Sequence, residues 1–336
     1  MFFHFCLTIH CQCIFNIDSL LSKFSFERAL AMTEQLIIEV KNLTKQYKKQ
    51  LAVDHASFQI QRGSICGLIG PNGAGKTTIM RILGGLTLPT SGAFSIFDKT
   101  SETELAKARE RISFMIETPY ANPNMTAKEN LEKQRLQKGI PNPNRVDEVL
   151  ELVGLSDAGK KKYKHFSLGM KQRFGIANAL LTKPELLILD EPTNGLDPKG
   201  IVAFRQLLKD LNQKSDVTIL ISSHILSELS LLCNDYIFLS KGRIVKHLTQ
   251  DELYNECQNY LHIHTDNDAL ALAILQEHLQ IRHYEVREDG SIQLYEYLDN
   301  VAPVSKTLYE NGVLPLELSI GGNNLEQYYM SIVGGS

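Results

Sequence analysis

Several features that would narrow the function are missing from this chain of 336 residues. It has no stretch of about 18 consecutive apolar residues, so no membrane span is predicted and any membrane role would run through a partner. The net charge of −3 gives no argument for binding nucleic acid or an anionic membrane surface. No internal repeat or low-complexity tract occurs, and 43% hydrophobic with 22% charged residues is typical of a soluble globular protein.

The spacing of the cysteines does not predict a zinc site. Cys11 and Cys13 are one residue apart, but no second pair completes a set of four ligands. Cys66 lies in an apolar run, where a buried thiol packs as a small apolar group. We expect free thiols in a reducing compartment at all six positions, which are Cys6, Cys11, Cys13, Cys66, Cys233 and Cys257.

Residues 1–31 show little pattern. Their apolar run ends in Ala29-Leu-Ala31, as in a signal peptide, but it lacks a basic start and is interrupted by polar residues such as His10 and Asp18. We therefore expect translation to start at Met32. Residues 1–31 would then be an upstream extension or a misassigned start, with little order.

From residue 36 onward, short strands alternate with helices. Wholly apolar runs such as 186–189 predict parallel strands buried on both faces. Residues 112–183 show mostly helical periodicity broken by prolines, which predicts a helical insert in a parallel α/β core. Beyond residue 247, shorter alternating runs predict a small α+β domain. The predicted strands are 36–40, 58–60, 64–69, 93–97, 186–189, 217–221, 236–239, 261–264, 284–286 and 292–294, and helices are predicted at 102–111, 201–211, 270–279 and 304–310.

Residues 70–78 read Gly-Pro-Asn-Gly-Ala-Gly-Lys-Thr-Thr, which fits the phosphate-binding loop between a strand and a helix. The glycines allow backbone conformations that side chains would block, so that successive N–H groups can point at phosphate oxygens. Lys76 supplies a charge for the β- and γ-phosphates, and the Thr77 hydroxyl is placed for Mg²⁺. The predicted ATP-binding residues of this loop are Gly70, Pro71, Asn72, Gly73, Ala74, Gly75, Lys76, Thr77 and Thr78.

Two acids follow the apolar run 186–189. Asp190 would reach the sheet edge, where it can hold Mg²⁺ through water, and Glu191 is placed to polarise the water that attacks the γ-phosphate. An acidic pair after a strand also occurs as a helix N-cap with a first-turn acid. The intact phosphate loop in the same chain favours the catalytic interpretation.

Between these motifs, residues 166–173 read Phe-Ser-Leu-Gly-Met-Lys-Gln-Arg. With them the chain resembles the ATP-binding subunit of ABC transporters over residues 36–247. The family's signature is usually Leu-Ser-Gly-Gly-Gln, of which Ser167 and Gly169 are retained. A serine hydroxyl and a glycine backbone at a helix N-terminus can grip a γ-phosphate. In the family the signature does so in trans, across a head-to-tail dimer with two ATPs between the subunits. The resemblance assigns this contact to Ser167, Leu168, Gly169, Met170, Lys171 and Gln172.

Other family positions match in order. Tyr47 resembles the aromatic residue that stacks on adenine, although a half-buried surface tyrosine is the alternative. Gly195, Leu196 and Asp197 resemble the loop that contacts the partner subunit. His224, after the predicted strand 217–221, resembles the switch histidine that senses the γ-phosphate.

One position departs from the family pattern. Where the family has a glutamine that contacts Mg²⁺ and the attacking water, the loop reads Met-Ile-Glu-Thr-Pro, so Glu117 takes that catalytic and metal-binding place. A carboxylate could coordinate the metal directly, but it cannot donate a hydrogen bond as an amide does. This loop, the altered signature and the ending from Asn324 to Tyr329 are similar to the bacitracin- and lantibiotic-resistance branch. Its members serve separate permeases that remove peptide antibiotics from the membrane.

The resemblance implies an α/β P-loop fold for an ATP-binding domain at 32–247, with its helical insert at about 112–183. The sequence patterns described above add an extension at 1–31 and a small α+β accessory domain at 248–336. It implies ATP and Mg²⁺ as cofactors. The implied partners are a membrane permease and a second ATP-binding subunit, in a homodimer or with a paired paralogue. The implied location is the cytoplasmic face of the cell membrane, reached through the permease.

Other interpretations fit the sequence less well. Translation factors of the family carry two cassettes, whereas this chain has one phosphate loop. Chromosome and repair ATPases of the family separate the two nucleotide-binding motifs by a long coiled coil, whereas no heptad pattern lies between Lys76 and Asp190 in this chain. A catalytically dead scaffold is disfavoured because the catalytic positions are intact. The basic run 160–164 is more typical of a solvated loop than of a nucleic-acid site, so no nucleic-acid partner is expected. An exporter with another substrate stays open.

Overall fold

The computed structural model describes residues 36–115, 121–158, 160–322 and 325–334. The predictions for residues 1–31 and for Glu117 lie outside this part of the chain. The chain forms two compact units that divide between His247 and Leu248, and each has its own hydrophobic core. None of the helices in the described ranges is long and apolar enough to cross a membrane.

Strands β1–β9 and helices α1–α7 build the first unit, and β9 crosses its boundary. The strands are β1 Leu36–Tyr47, β2 Gln50–Gln61, β3 Ile65–Ile69, β4 Ser91–Ile96, β5 Ile112–Met115, β6 Leu186–Leu189, β7 Thr218–Ser223, β8 Asp235–Ser240 and β9 Arg243–Thr249. The helices are α1 Lys76–Leu83, α2 Glu102–Arg109, α3 Ala127–Gln137, α4 Arg145–Leu152, α5 Leu168–Leu180, α6 Pro198–Ser215 and α7 Leu226–Leu229, with short 3₁₀ turns at Ser156–Ala158 and Tyr163–His165.

A six-stranded sheet forms the centre of this unit, in the order β5-β6-β7-β3-β8-β9. The strands from β5 to β8 in that order run parallel. Every residue of β3, β6 and β7 is buried, which is why each of these strands contains a short run of mostly apolar residues. Cys66 on β3 is fully buried, and burial raises the pKa of its thiol well above the usual value. Cys66 is therefore a neutral packing group, as its sequence context predicts.

The strands β1, β2 and β4 form a separate antiparallel sheet in the order β2-β1-β4. The expectation that these early strands join one parallel core is therefore wrong. In β2, the buried residues Ala56, Phe58 and Ile60 alternate with exposed ones, the period of a sheet with one covered face. A local sequence pattern predicts that a segment forms a strand. It does not predict which strand that segment pairs with, because pairing depends on tertiary contacts.

The helical insert starts later than predicted. Residues 112–115 form β5, which pairs in parallel with β6 so that Ile112 faces Leu186 and Met115 faces Leu189. The predicted boundary at residue 112 is wrong because a strand of four residues has no periodicity of its own and is stabilised by its distant partner. Helices α3 to α5 make up the insert.

Glu185 fastens the start of β6 to two neighbouring segments. Its Oε2 accepts hydrogen bonds from Arg62 at 2.8 Å and from Arg111 at 2.7 Å. The Arg111 guanidinium also lies 3.8 Å from the ring centroid of Phe97. The hydrogen bond from Arg111, supported by Arg62, lowers the pKa of the Glu185 carboxyl to about 2.

We predict that Glu185→Gln lowers the free energy of unfolding at pH 7 by about 1–2 kcal/mol, a value reduced for solvent screening of this partly exposed group. A lowered folded-state pKa adds stability that is present above the unfolded value of 4.5 and is lost as the pH falls toward about 2. Urea unfolding should therefore show the difference shrinking below pH 4.5. The control Asp210→Asn, at an exposed helical pair with Lys214, should leave the midpoint nearly unchanged. A difference for Glu185→Gln that stays constant on acidification would contradict the prediction.

The second unit has a different topology. Its strands are β10 Tyr260–Thr265, β11 Tyr284–Val286, β12 Ile292–Leu294 and β13 Pro315–Gly321, and its helices are α8 Gln250–Glu256, α9 Asp268–Leu279, α10 Ala302–Glu310 and α11 Leu325–Gly334. The sheet order is β13-β10-β12-β11 and all neighbours are antiparallel. With α9 and α10 in their places along the chain, this is the split βαβ arrangement of ferredoxin-like folds. Leu261 and Ile263 of β10 pack with Leu275 of α9 and Leu308 of α10 in its core.

Candidate functional site

Three adjacent strands bring the predicted catalytic residues together. Strands β6, β7 and β3 are parallel neighbours, so their carboxyl ends meet at one edge of the sheet. The phosphate loop follows β3, Asp190 and Glu191 follow β6, and His224 follows β7. Ligands of open α/β sheets bind at this edge.

The glycines of the phosphate loop serve two different needs. Gly73 and Gly75 have φ angles of +81° and +111°, which residues with a side chain rarely adopt. A Cβ atom at Gly75 would lie 2.4 Å from the carbonyl oxygen of Ala52, and one at Gly70 would lie 2.3 Å from that of Leu239. The loop is thus held tightly between β2 and β8, and it leads into the N-terminus of α1, where anions are favoured.

Lys76 and Thr77 connect the loop to the acids. The Lys76 ammonium donates to the Gly70 carbonyl oxygen at 2.6 Å and lies 3.1 Å from Glu191 Oε1. Lys76 is only 5% exposed, so this ion pair is shielded from solvent. The Thr77 hydroxyl donates to Asp190 Oδ2 at 2.6 Å.

Ser222, near the end of β7, contacts both acids. Its hydroxyl donates to Asp190 Oδ1 at 2.6 Å and accepts from the backbone N–H of Glu191 at 2.8 Å. Ser222 is fully buried. The sequence prediction did not single it out, although a serine near the end of a buried strand, two residues before His224, is the signal that could have found it.

Glu191 has an unusual backbone conformation and contacts a lysine and a histidine. Its φ angle is +47°, a left-handed conformation that costs a residue with a side chain about 1–2 kcal/mol. Glu191 Oε2 lies 2.9 Å from His224 Nδ1, while Oε1 faces Lys76. The carboxylate is therefore fixed between the loop lysine and the histidine, as a strained residue held by its surroundings.

The phosphate loop forms one wall of a cleft of about 300 Å³. Tyr47, Gln50, Ala52 and Glu191 also line this cleft. Tyr47 is 43% exposed, and the ammonium of Lys45 lies 4.9 Å from its ring centroid. A partly exposed aromatic ring that lines a phosphate-binding cleft suits stacking on a flat base.

The signature segment opens α5 beside a second cavity of about 670 Å³. Ser167 caps this helix by accepting a hydrogen bond from the Met170 N–H at 3.3 Å. A Cβ atom at Gly195 would lie 2.8 Å from Leu168, so the signature and the predicted partner loop are in contact. Asp197 caps α6. The predicted residues that line the cavity are Ser167, Leu168, Gly169, Met170, Gly195, Leu196 and Asp197.

The two cavities share no lining residue. Lys171 and Gln172 follow on α5 but are not among the lining residues of the second cavity. The predicted site residues therefore fall into two groups within one chain, one around Lys76 and one around Ser167. Gln50 and Ala52, which line the first cleft, were not predicted because they lie in an ordinary strand far from the loop in sequence.

A phosphate loop between a parallel strand and a helix, with an acidic pair at the same sheet edge, defines a P-loop nucleoside triphosphatase. A family model described as ABC transporter matches residues 53–194. The chain belongs to this family as an ATP-binding subunit, an ATPase coupled to transport. The cassette fold predicted from the motifs is thereby confirmed.

Three known proteins illustrate the similarity. The bacitracin transport ATP-binding protein BcrA of Bacillus licheniformis is 42% identical over 299 residues, 89% of this chain and 98% of that protein. The lantibiotic transport ATP-binding protein SrtF of Streptococcus pyogenes is 42% identical over 211 residues, 62% of this chain and 89% of that protein. The cassette MJ0796, solved as a post-hydrolysis dimer with ADP and Pi, matches with a TM-score of 0.57 and 29% identity over 63% of this chain and 98% of that one.

We predict that Ser222→Ala lowers the turnover number of ATP hydrolysis by about ten- to a hundredfold, because both acids lose a buried hydrogen bond. The KM for ATP should change much less, since the loop and Lys76 are untouched. Ser222→Thr, which keeps the hydroxyl, should retain most activity. Ser223→Ala is the matched control, because the Ser223 hydroxyl accepts from the Ile225 N–H instead. Equal losses in Ser222→Ala and Ser223→Ala would contradict the role of Ser222.

Proposed function

We propose that this chain hydrolyses ATP to drive a separate membrane permease that exports, or gives immunity to, bacitracin- or lantibiotic-like peptide antibiotics. The observation that carries the substrate class is the extent of the bacitracin relative. A similarity over 299 residues must run past His247 into the second unit. The similarity is therefore not limited to the ATP-binding part that the whole family shares.

In this proposal the first cleft binds ATP. Tyr47 stacks on the adenine, residues 70–78 surround the phosphates with backbone N–H groups, and Lys76 neutralises the β- and γ-phosphates. The close approach of the Ala52 carbonyl oxygen to Gly75 supports this assignment, because it holds the loop in place without a bound nucleotide.

The oxygen atoms of Thr77 and Asp190 fit a magnesium ion. They are hydrogen-bonded to each other at the cleft, and oxygen ligands are the ones that Mg²⁺ prefers. The described residues hold no group of three or more His, Cys, Asp or Glu that could bind a metal by itself. A Mg²⁺ ion that shares its ligands with ATP phosphates and water is consistent with this sparse set. When bound, the ion would neutralise charge that develops on the phosphates.

Glu191 is the proposed residue that polarises the attacking water, and His224 is the proposed sensor of the γ-phosphate. The contact between His224 Nδ1 and Glu191 Oε2 supports the two roles together, because a displacement of either side chain alters this contact. We also propose that Glu117 lies near the metal and the attacking water, as its position in the sequence motif implies.

The separation of the two cavities supports a head-to-tail homodimer. Within one chain, the signature residues do not line the cleft that holds the phosphate loop. A second copy placing its Ser167 and Gly169 over the γ-phosphate would complete each site, with Gly195, Leu196 and Asp197 at the contact. The dimer would act on a permease at the cytoplasmic face of the membrane.

We predict that Glu191→Gln binds ATP but releases no phosphate, since an amide cannot polarise the water as a carboxylate does. At about 1 μM protein, solution mass should show a dimer with Mg-ATP that reverts to monomer when ATP is removed, because ATP adds contacts in the closed state alone. Lys76→Ala in the same background should stay monomeric. A Glu191→Gln variant that still hydrolyses ATP would refute the role of Glu191, and a monomer at saturating ATP would refute closure without the permease.

The substrate class can be tested in the host cell. Replacing the chain by its Lys76→Ala variant should lower resistance to bacitracin or to a lantibiotic several-fold, because transport loses its ATPase. Resistance to an unrelated antibiotic that is not a peptide should not change. Unchanged resistance to both peptide classes would point to a different exported substrate.

A further inference from the structure

Strand β13 lies at the edge of the sheet in the second unit. It pairs with β10 on one side, and among the described residues no strand lies on its other side. An unpaired edge is a template for another strand, and proteins usually protect it with lysine, proline or a bulge. β13 has no lysine, and Pro315 stands at its first position, next to the register irregularity at His264 and Thr265. The rest of the edge remains free to pair.

The apolar residues of β13 are only partly covered. Leu318 faces Ile263 and Ile320 faces Leu261 across the pair with β10, so this row lies on the helix-covered face of the sheet. Leu318 packs against the core, but Leu316 and Ile320 are 60% and 59% exposed. The apolar face of the sheet therefore continues past the part that the helices cover.

The sequence of β13 is complementary to itself in antiparallel pairing. With Leu318 opposite its own counterpart, Leu316 would face Ile320 and Glu317 would face Ser319. Apolar residues then meet apolar residues on one face, and no like charges are opposed on the other. A two-fold interface requires the same patch on both copies to match itself, and β13 meets that requirement.

We propose that β13 is an interface between two copies of this chain. The two strands pair antiparallel about a two-fold axis through Leu318 and join two four-stranded sheets into one of eight strands. The choice of a second copy rests on this self-complementarity and on the homodimer proposed above, which brings two chains into one transporter. One strand pair with four partly exposed apolar side chains is a small interface, so the contact is weak on its own. Within an assembled transporter it acts at high local concentration.

Sedimentation of the full chain without nucleotide tests the interface, since the ATP-driven dimer is then not formed. We expect wild type to be monomeric at about 1 μM and to dimerise with a Kd in the range of tens of micromolar, as suits a contact of this size. Leu316→Lys and Ile320→Lys should each raise this Kd at least about tenfold, because they oppose charge to apolar surface. The matched control is Val286→Lys on β11, the opposite edge of the same sheet, where Val286 is 53% exposed. It should leave the Kd unchanged.

Cysteine cross-linking tests the register independently of these variants. Glu317 of one copy faces Ser319 of the other, so a Glu317→Cys and Ser319→Cys double variant should form a covalent dimer on mild oxidation, within the reach of a disulfide. Neither single variant should do so, and the native cysteines are present in all three chains.

A wild-type chain that stays monomeric without nucleotide up to about 300 μM, well above the Kd expected for a small interface, overturns the proposal. So does a Val286→Lys variant that dissociates as readily as Ile320→Lys, or a double cysteine variant that cross-links no better than the single ones. Loss of the ATP-dependent dimer in Glu191→Gln, with the nucleotide-free dimer intact, would refute the head-to-tail clamp and leave the β13 interface standing.

Discussion

One buried hydroxyl, that of Ser222, sets the position of both acids at the phosphate loop. It binds the carboxylate of Asp190 and the backbone amide of Glu191, while Thr77 holds the other oxygen of Asp190. Leaving a buried polar group without its partner costs about 1–3 kcal/mol. If one of these groups moves, the others lose their hydrogen-bond partners. The loop, the acids and His224 therefore behave as one assembly built on three neighbouring β-strands.

The segment from Glu191 to Asp197 links this assembly to the signature within the same chain. It begins at the acid beside Lys76 and His224, and it is held midway by a hydrogen bond from Thr193 to Glu228 at 2.8 Å. At its far end Gly195 lies against Leu168 of the signature. Close-packed contacts of this kind transmit displacement. A continuous set of contacts within one chain therefore joins the acid of one nucleotide site to the residues that we propose contact the nucleotide of the partner.

The sequence predicted the parts of the structure that depend on local chemistry. The phosphate loop, the acidic pair and the buried strands are recognisable because a few adjacent residues define each of them. Partners distant in sequence were harder to predict: β5 has four residues and exists because it pairs with β6, and β1, β2 and β4 assort into a sheet of their own. The role of Ser222 was missed for the same reason, since its position opposite Asp190 depends on the register of two strands. β13 was missed because Pro315 at its start suggests a loop.

The three loop glycines differ in how much change they allow. At Gly70 and Gly75 a carbonyl group of a neighbouring strand occupies the space that any side chain needs, and a backbone atom cannot rotate away. Gly73 has open space around it and needs only a left-handed backbone, which asparagine also adopts. A substitution is therefore sterically possible at residue 73 but not at residues 70 and 75. The requirement for glycine at those two positions therefore comes from the close packing of strands around the loop as well as from the approach of phosphate.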